Sequence, residues 1–185
     1  MELCIADPGV ERLVERYGER AYRLAWRITG ARDEAEEVTR NALMRAACSI
    51  QSVAGEPALD SWILRAVARD AAERRRCRQP GDEAALEAVV AALPVDGGHF
   101  EPKEDWSARV DEPILQRGLQ TVIGEAIDAL PADYRTALVL HDVEGMSRPA
   151  IADALDVEMA VVKARVHRAR LFVRHRLSEY FERQA

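Results

Sequence analysis

The chain has 185 residues, 48% of them hydrophobic and 31% charged, with aromatics at only 5% and a formal net charge of -6. No apolar run approaches the ~20 residues of a membrane span, and the opening MELCIADPGVERL lacks the basic and apolar regions of a signal peptide; a cytoplasmic protein with no membrane insertion of its own is expected. Ala and Leu dominate, which favours an all-α fold, and neither Cys4, Cys48 and Cys77 nor the four histidines follow a disulfide or metal pattern, so incidental or buried thiols and no metal or cofactor are expected.

Residues 1–78 predict three helices. Asp7-Pro8 suits a helix start, and Val10, Leu13, Val14, Tyr17, Ala21, Leu24, Ala25 and Ile28 follow at steps of three and four up to Thr29-Gly30. Asp33 with Glu36 resembles a capping box for a second helix carrying Val38, Ala42, Leu43, Ala46 and Ile50. The Gly and Pro of SVAGEPA, 52–58, predict a loop, and a third helix is expected from Asp60 or Ser61. Its apolar face is Trp62, Ile63, Ala66 and Val67; Arg65, Arg69, Ala72 and Arg76 recur on the outer one.

Residues 79–112 are rich in Pro, Gly and acid and read as a linker, with one short helix near Asp82 to Leu93. Charge is uneven along the chain: residues 1–78 hold 14 Arg and 13 Asp/Glu, residues 79–117 hold 3 basic and 9 acidic, and residues 118–185 hold 9 basic and 10 acidic. The acidic excess therefore belongs mainly to the linker, and a basic surface elsewhere is compatible with a net negative chain. Two small helical domains joined by a long acidic linker are expected, at 1–78 and 113–185.

In residues 113–185 the helical period returns with Ile114, Leu115, Leu119, Val122, Ile123, Ala126, Ile127 and Leu130, and Pro131 breaks it. A shorter helix carries Tyr134, Ala137, Leu138 and His141 and stops at Gly145. Ser147 is a good N-cap for a two-turn helix through Ile151, Ala152 and Leu155, Asp156 suits a tight turn, and a long helix starts near Glu158 or Met159. Its seam is Val162, Val166, Ala169, Val173 and Leu177. A short helix, a turn of about three residues and a longer helix make a helix-turn-helix, whose second helix enters the major groove. Lys163, Arg165, His167, Arg168 and Arg170 are left facing outward or sideways, and no acid occurs from 161 to 178, whereas a solvated surface helix normally mixes both signs.

IDALP at 127–131 followed by DVEGMSRPAIADALDVEMAVVKARVHRAR at 142–170 resembles region 4 of bacterial extracytoplasmic-function sigma factors. Val161 to Arg170 match seven of the ten positions of that family's Thr-Val-Lys-Ser-Arg-Leu-His-Arg-Ala-Arg ending. VERYGERAYRLAWRITGARDEAEE at 14–37 resembles region 2, as does DSWILRAVARDAAERRRCR at 60–78, and the two resemblances occur in the family's order. GGHFEPKEDW at 97–106 is similar to a linker pattern found in some members, where the segment threads through the polymerase.

The resemblance implies a promoter-specificity subunit that binds RNA polymerase core, directs transcription initiation and is held inactive by an anti-sigma factor. For the −35 element it implies contacts from Glu158, Met159, Ala160, Val161, Lys163, Ala164, Arg165, His167, Arg168 and Arg170. For −10 recognition and melting it implies Ser52, Gly55, Glu56, Leu59 and Trp62, with Arg65, Arg69, Arg74, Arg75 and Arg76 for phosphates. Trp62 either stacks on a base or begins the buried stripe, and Glu158 either accepts from a cytosine amine or favours the helix dipole. For polymerase core it implies Glu34, Glu36, Glu37, Arg40, Asn41, Met44 and Arg45. Arg40-Asn41 replaces the family's usual Gln-Glu pair, a charge change expected to weaken core binding. Two other readings stay open: a sigma-like decoy that binds an anti-sigma factor without engaging core, and a plain helix-turn-helix repressor. An enzyme is not expected, since no nucleophile–base constellation, phosphate loop or metal motif is present.

Overall fold

Helix α1, Pro8–Thr29, buries the seam Leu13, Tyr17, Ala21, Leu24, Ala25 and Ile28 in a computed structural model that describes residues 8–49, 56–78, 81, 83–92 and 113–184. Val14, expected on that face, is 50% exposed. It begins a row at steps of four, Val14, Gly18, Tyr22, Trp26, that crosses the edge of the seam at a slant, because four residues overshoot a helical turn by about 40°: Gly18 and Tyr22 are half-buried, and both ends, Val14 and Trp26, are exposed. At the other end Thr29 is fully buried; its hydroxyl donates to the Ala25 carbonyl at 2.9 Å and accepts from the Ala31 N–H at 3.3 Å. Gly30 then adopts φ +68, a left-handed turn that reverses the chain into α2, Arg32–Ser49.

Helix α2 buries Ala35, Val38, Ala42, Leu43 and Ala46 against α1; the expected Ile50 lies outside the described residues. Helix α3, Glu56–Arg78, closes the bundle through Ile63, Leu64, Val67, Ala68 and Ala71. It starts four residues before Asp60, earlier than the sequence predicts, because proline is tolerated in a first helical turn and Pro57 does not break the helix.

The second unit contains α4, Glu83–Ala92; α5, Pro113–Asp128; α6, Ala132–Leu138; α7, Arg148–Leu155; and α8, Met159–Gln184. Leu86, Leu130, Tyr134, Leu138, Ala169 and Phe172 form its own cluster. Helix α4, expected within the tether, is thus part of a core: Leu86 is buried and Tyr134 donates to the Glu87 carboxylate at 3.1 Å. Ile123, expected on the apolar face of α5, is exposed. Helix α6 passes into a π-helical turn, Val139–Val143, and Gly145 at φ +67 ends it as expected.

Among the described residues every regular element is helical. The larger apolar cluster runs from α1, α2 and α3 into Ala137, Val139, Leu140, Ile151, Val162 and Val166, so the two units abut. Helix α3 lies against α6 and α7. This corrects the reading of its Arg65, Arg69, Ala72, Arg76 side as a free outer face: Ala72 is buried, and the cleft beside it brings Arg69 and Arg76 close to Asp133, Thr136, Leu155 and Val157. Cys48 and Cys77 are exposed thiols rather than buried ones.

Candidate nucleic-acid interface

The short helix α7 has both its ends specified by single residues. Ser147 Oγ accepts from the Ala150 N–H at 3.4 Å, Pro149 occupies the first turn where no donor is missed, and Asp156 at φ 55 and ψ 51 closes the helix in the left-handed region. The Val157 N–H donates to the Ala152 carbonyl at 3.0 Å, and the Glu158 carbonyl accepts from Val161 and Val162 to open α8. A turn of Asp156, Val157 and Glu158 therefore joins α7 to α8, as the helix-turn-helix reading requires.

Along α8, Val162, Val166 and Ala169 are buried and Phe172 joins them, while Val173 and Leu177 are half-buried. That seam leaves Glu158, Met159, Ala160, Val161, Lys163, His167 and Arg170 exposed, and Ala164, Arg165 and Arg168 half-buried on the flanks. Met159 at 56% exposure and Val161 at 37% are apolar side chains standing in solvent at the N-terminal end of the helix, where apolar contact with a thymine methyl is chemically available.

Each of the three arginines of this set has an acid beside it. Arg165 donates to Asp133 at 2.5 Å, Arg168 lies 3.3 Å from Glu87, and Arg170 donates through Nε to Asp142 at 2.9 Å. The Arg170 guanidinium, with His141 as the second donor, holds the Asp142 carboxyl below its ordinary value despite partial burial, and Asp142 in turn raises Arg170. These acids come from α4, α6 and the π-helical turn, distant in sequence, and periodicity along α8 carries no sign of them.

The residues implied for −10 binding divide. Ser52 and Gly55 lie outside the described residues, and Glu56 is described only as the first residue of α3. Leu59 is buried and Trp62 half-buried against the first cluster, consistent with a packing role for both. Arg65 pairs with Asp153, and Arg76 with Glu73 and with Asp133 at 2.8 Å. Arg74 makes a two-pronged pair with Glu37 at 2.6 and 2.7 Å, which raises Arg74 and lowers Glu37. Arg69 is exposed at the cleft, with no carboxylate paired to it among the described residues.

Arg75 is not placed for a phosphate in this packing. It is only 3% exposed, donating to the Thr29 carbonyl at 3.0 Å and to the Asp128 carbonyl at 2.6 Å. Burial first, and then the neighbouring Arg135, pull it down to about 10, so it remains cationic at neutral pH.

In the set implied for polymerase core, Arg40 and Asn41 are exposed side by side on α2 and Met44 is half-buried. Glu36 pairs with Arg32 at 2.9 Å, Arg45 with Asp70, and Glu34 with Arg78 at 3.1 Å while its Oε2 is buried without a partner. Trp26 and Tyr22, with ring centroids 6.4 Å apart on α1, form an aromatic surface outside every expected set. Their spacing of four was visible in the sequence, but nothing there separated it from the seam.

Residues 13–80 match the family described as Sigma-70 region 2, and residues 120–173 match Sigma-70, region 4. The ECF RNA polymerase sigma factor SigE of Mycolicibacterium smegmatis is 31% identical over 180 residues, which are 95% of this chain and 64% of that protein; the chain thus spans a little under two thirds of SigE. The ECF RNA polymerase sigma factor SigW of Bacillus subtilis is 27% identical over 167 residues, 90% of this chain and 88% of SigW. The fold is similar, at a TM-score of 0.60 and 21% identity over 91% of this chain and 96% of the other, to the sigma factor RpoE in its co-crystal structure with the anti-sigma factor NepR from Bartonella quintana. Two sigma-70 regions in the family's order, on the helical units described above, with extracytoplasmic-function relatives along most of its length, mean that the chain belongs to the extracytoplasmic-function group of the sigma-70 family.

Proposed function

We propose that the chain is a promoter-specificity subunit of RNA polymerase, with residues 113–185 reading the −35 element as duplex, residues 1–78 engaging the −10 element and the core enzyme, and residues 79–112 as the connection between them. The observation that carries this reading is the α7–α8 pair. A capped short helix, a three-residue turn and a long helix with a buried valine seam present Met159, Val161, Lys163 and His167 to solvent in the geometry that suits a major groove. In this reading Lys163, Arg165, His167, Arg168 and Arg170 meet phosphates and base edges, and Arg65, Arg69, Arg74 and Arg76 meet the phosphates of the melted strand.

Arg40 and Asn41 lie on the exposed side of α2, beside Glu36 and Met44, where a core contact is reachable. A partner that covers these surfaces, an anti-sigma factor, fits the group and the complex of the structural relative. No helix of the described residues is long and apolar enough to cross a membrane.

The test is assembly. Titrating the full chain into purified bacterial core polymerase should give a stoichiometric complex by size exclusion, and Arg40→Glu should change its affinity. No complex with core would sink the reading.

A further inference from the structure

We propose that Met159 and Val161, at the tip of α8, read the C5-methyl groups of thymines, so that recognition of the upstream promoter element depends on thymine through apolar contact. The proposal rests on the function proposed above and names what that site selects.

The second helix of a helix-turn-helix meets base edges with its N-terminal residues. In the major groove an Arg or Lys reads guanine, an Asn or Gln reads adenine, and an apolar side chain reads the thymine methyl. From Val157 to Leu177 the chain has no Asn, Gln, Ser or Thr, so the paired contact to adenine is not available to this helix. The arginines that could fork a guanine are turned to carboxylates on the flanks: Arg165 to Asp133, Arg168 to Glu87, and Arg170 through two nitrogens to Asp142. The polar side chains left at this end are Glu158, an acceptor suited to a cytosine amine, and Lys163, a donor suited to phosphate or guanine. Between them stand Met159, Ala160 and Val161, all exposed, and the base whose mark is apolar falls to these.

Met159 and Val161 do nothing for the cores: they are 56% and 37% exposed, and neither belongs to an apolar cluster among the described residues. The tip that carries them is nevertheless fixed. The Glu158 carbonyl accepts from both the Val161 N–H at 3.0 Å and the Val162 N–H at 3.2 Å, and Val162 is fully buried. Residues on a helix turn by about 100° each, so Met159 and Val161 point about 200° apart with Ala160 between them. The short Ala160 side chain lets the tip approach the groove floor while the two longer ones reach to either side of it. That arrangement calls for two separate thymine positions. Val161, β-branched and held to one rotamer in a helix, fixes its position more sharply than the unbranched Met159.

The test uses the full chain with purified core polymerase, with core alone as background. A duplex is recovered from a random-sequence library and labelled with fluorescein, and each of its thymines is replaced in turn by deoxyuridine, which removes only the methyl. Anisotropy should show binding about fourfold weaker at two positions, the effect of losing one buried methyl group. Met159→Ala should abolish the loss at one of them and Val161→Ala at the other, while Val161→Thr, which keeps a methyl, preserves it. Lys163→Ala should weaken thymine and uracil duplexes alike. Deoxyuridine without effect at any position, or with the same effect in the unsubstituted chain, Met159→Ala and Val161→Ala, overturns methyl reading and leaves the DNA-binding function standing. No duplex recovered above the core background overturns that function instead.

Discussion

Gly81 adopts φ +76 with its Cα hydrogen facing Pro131; a Cβ built there would stand 2.6 Å from the Pro131 Cα, a backbone atom that cannot swing aside. Gly81→Ala should therefore cost about 1–3 kcal/mol in a denaturant titration, because strain at positive φ and a backbone clash act together. Asp142 makes a second residue-level prediction. Its carboxyl is held below the ordinary carboxylate value of about 3.9, so the stability it adds is complete above that value and is lost as pH falls through the lower folded value. Thermal melts should show a loss below about pH 4 that Asp142→Asn lacks, with the variant less stable at neutral pH. At this scale Ser147 and Asp156 were readable from the sequence, because an N-cap and a left-handed turn each demand particular side chains. Asp133 was not: its arginine partners lie 32 and 57 residues away, and no local pattern marks such pairs.

Helix α8 carries two faces with separable roles. Val162 and Val166 aim it, and exposed Lys163 supplies charge with no ion pair among the described residues. Lys163→Ala should leave the melting temperature unchanged and reduce the slope of log binding constant against log salt by about one, since one phosphate contact is lost. An unchanged slope would take Lys163 out of the interface. The seam of α8 was legible because its steps of four and three bury one stripe, and the structure extends it to Phe172. The start of α3 was less legible, since Gly55 and Pro57 suggest a loop although a first helical turn tolerates proline. The π-helical turn at Val139–Val143 was also missed, because an apolar run there fits either helical period; the Glu144 N–H bonded to the Val139 carbonyl at 3.0 Å reveals it.

At the scale of the whole molecule, composition and period were enough for an all-helical chain in two units, and the order of two quoted motifs was enough for the family. The packing of one unit on the other was not legible. It depends on Ala72 lying buried in an α3 face that looks polar in sequence, and on carbonyls at the ends of α1 and α5 that capture Arg75. Helix α4 makes the same point: its acids mark the segment as a tether, yet Leu86 belongs to the second core. Both features bring acidic groups beside the arginines of α3 and α8, while the acidic excess of the chain as a whole lies mainly in residues 79–117. The most direct test is run-off transcription on a library of promoter fragments with purified core polymerase and the full chain. Transcripts from a defined subset of promoters, dependent on the chain and reduced by Lys163→Ala, are predicted. Absence of any chain-dependent transcript, with core polymerase active alongside another specificity subunit, would contradict the account.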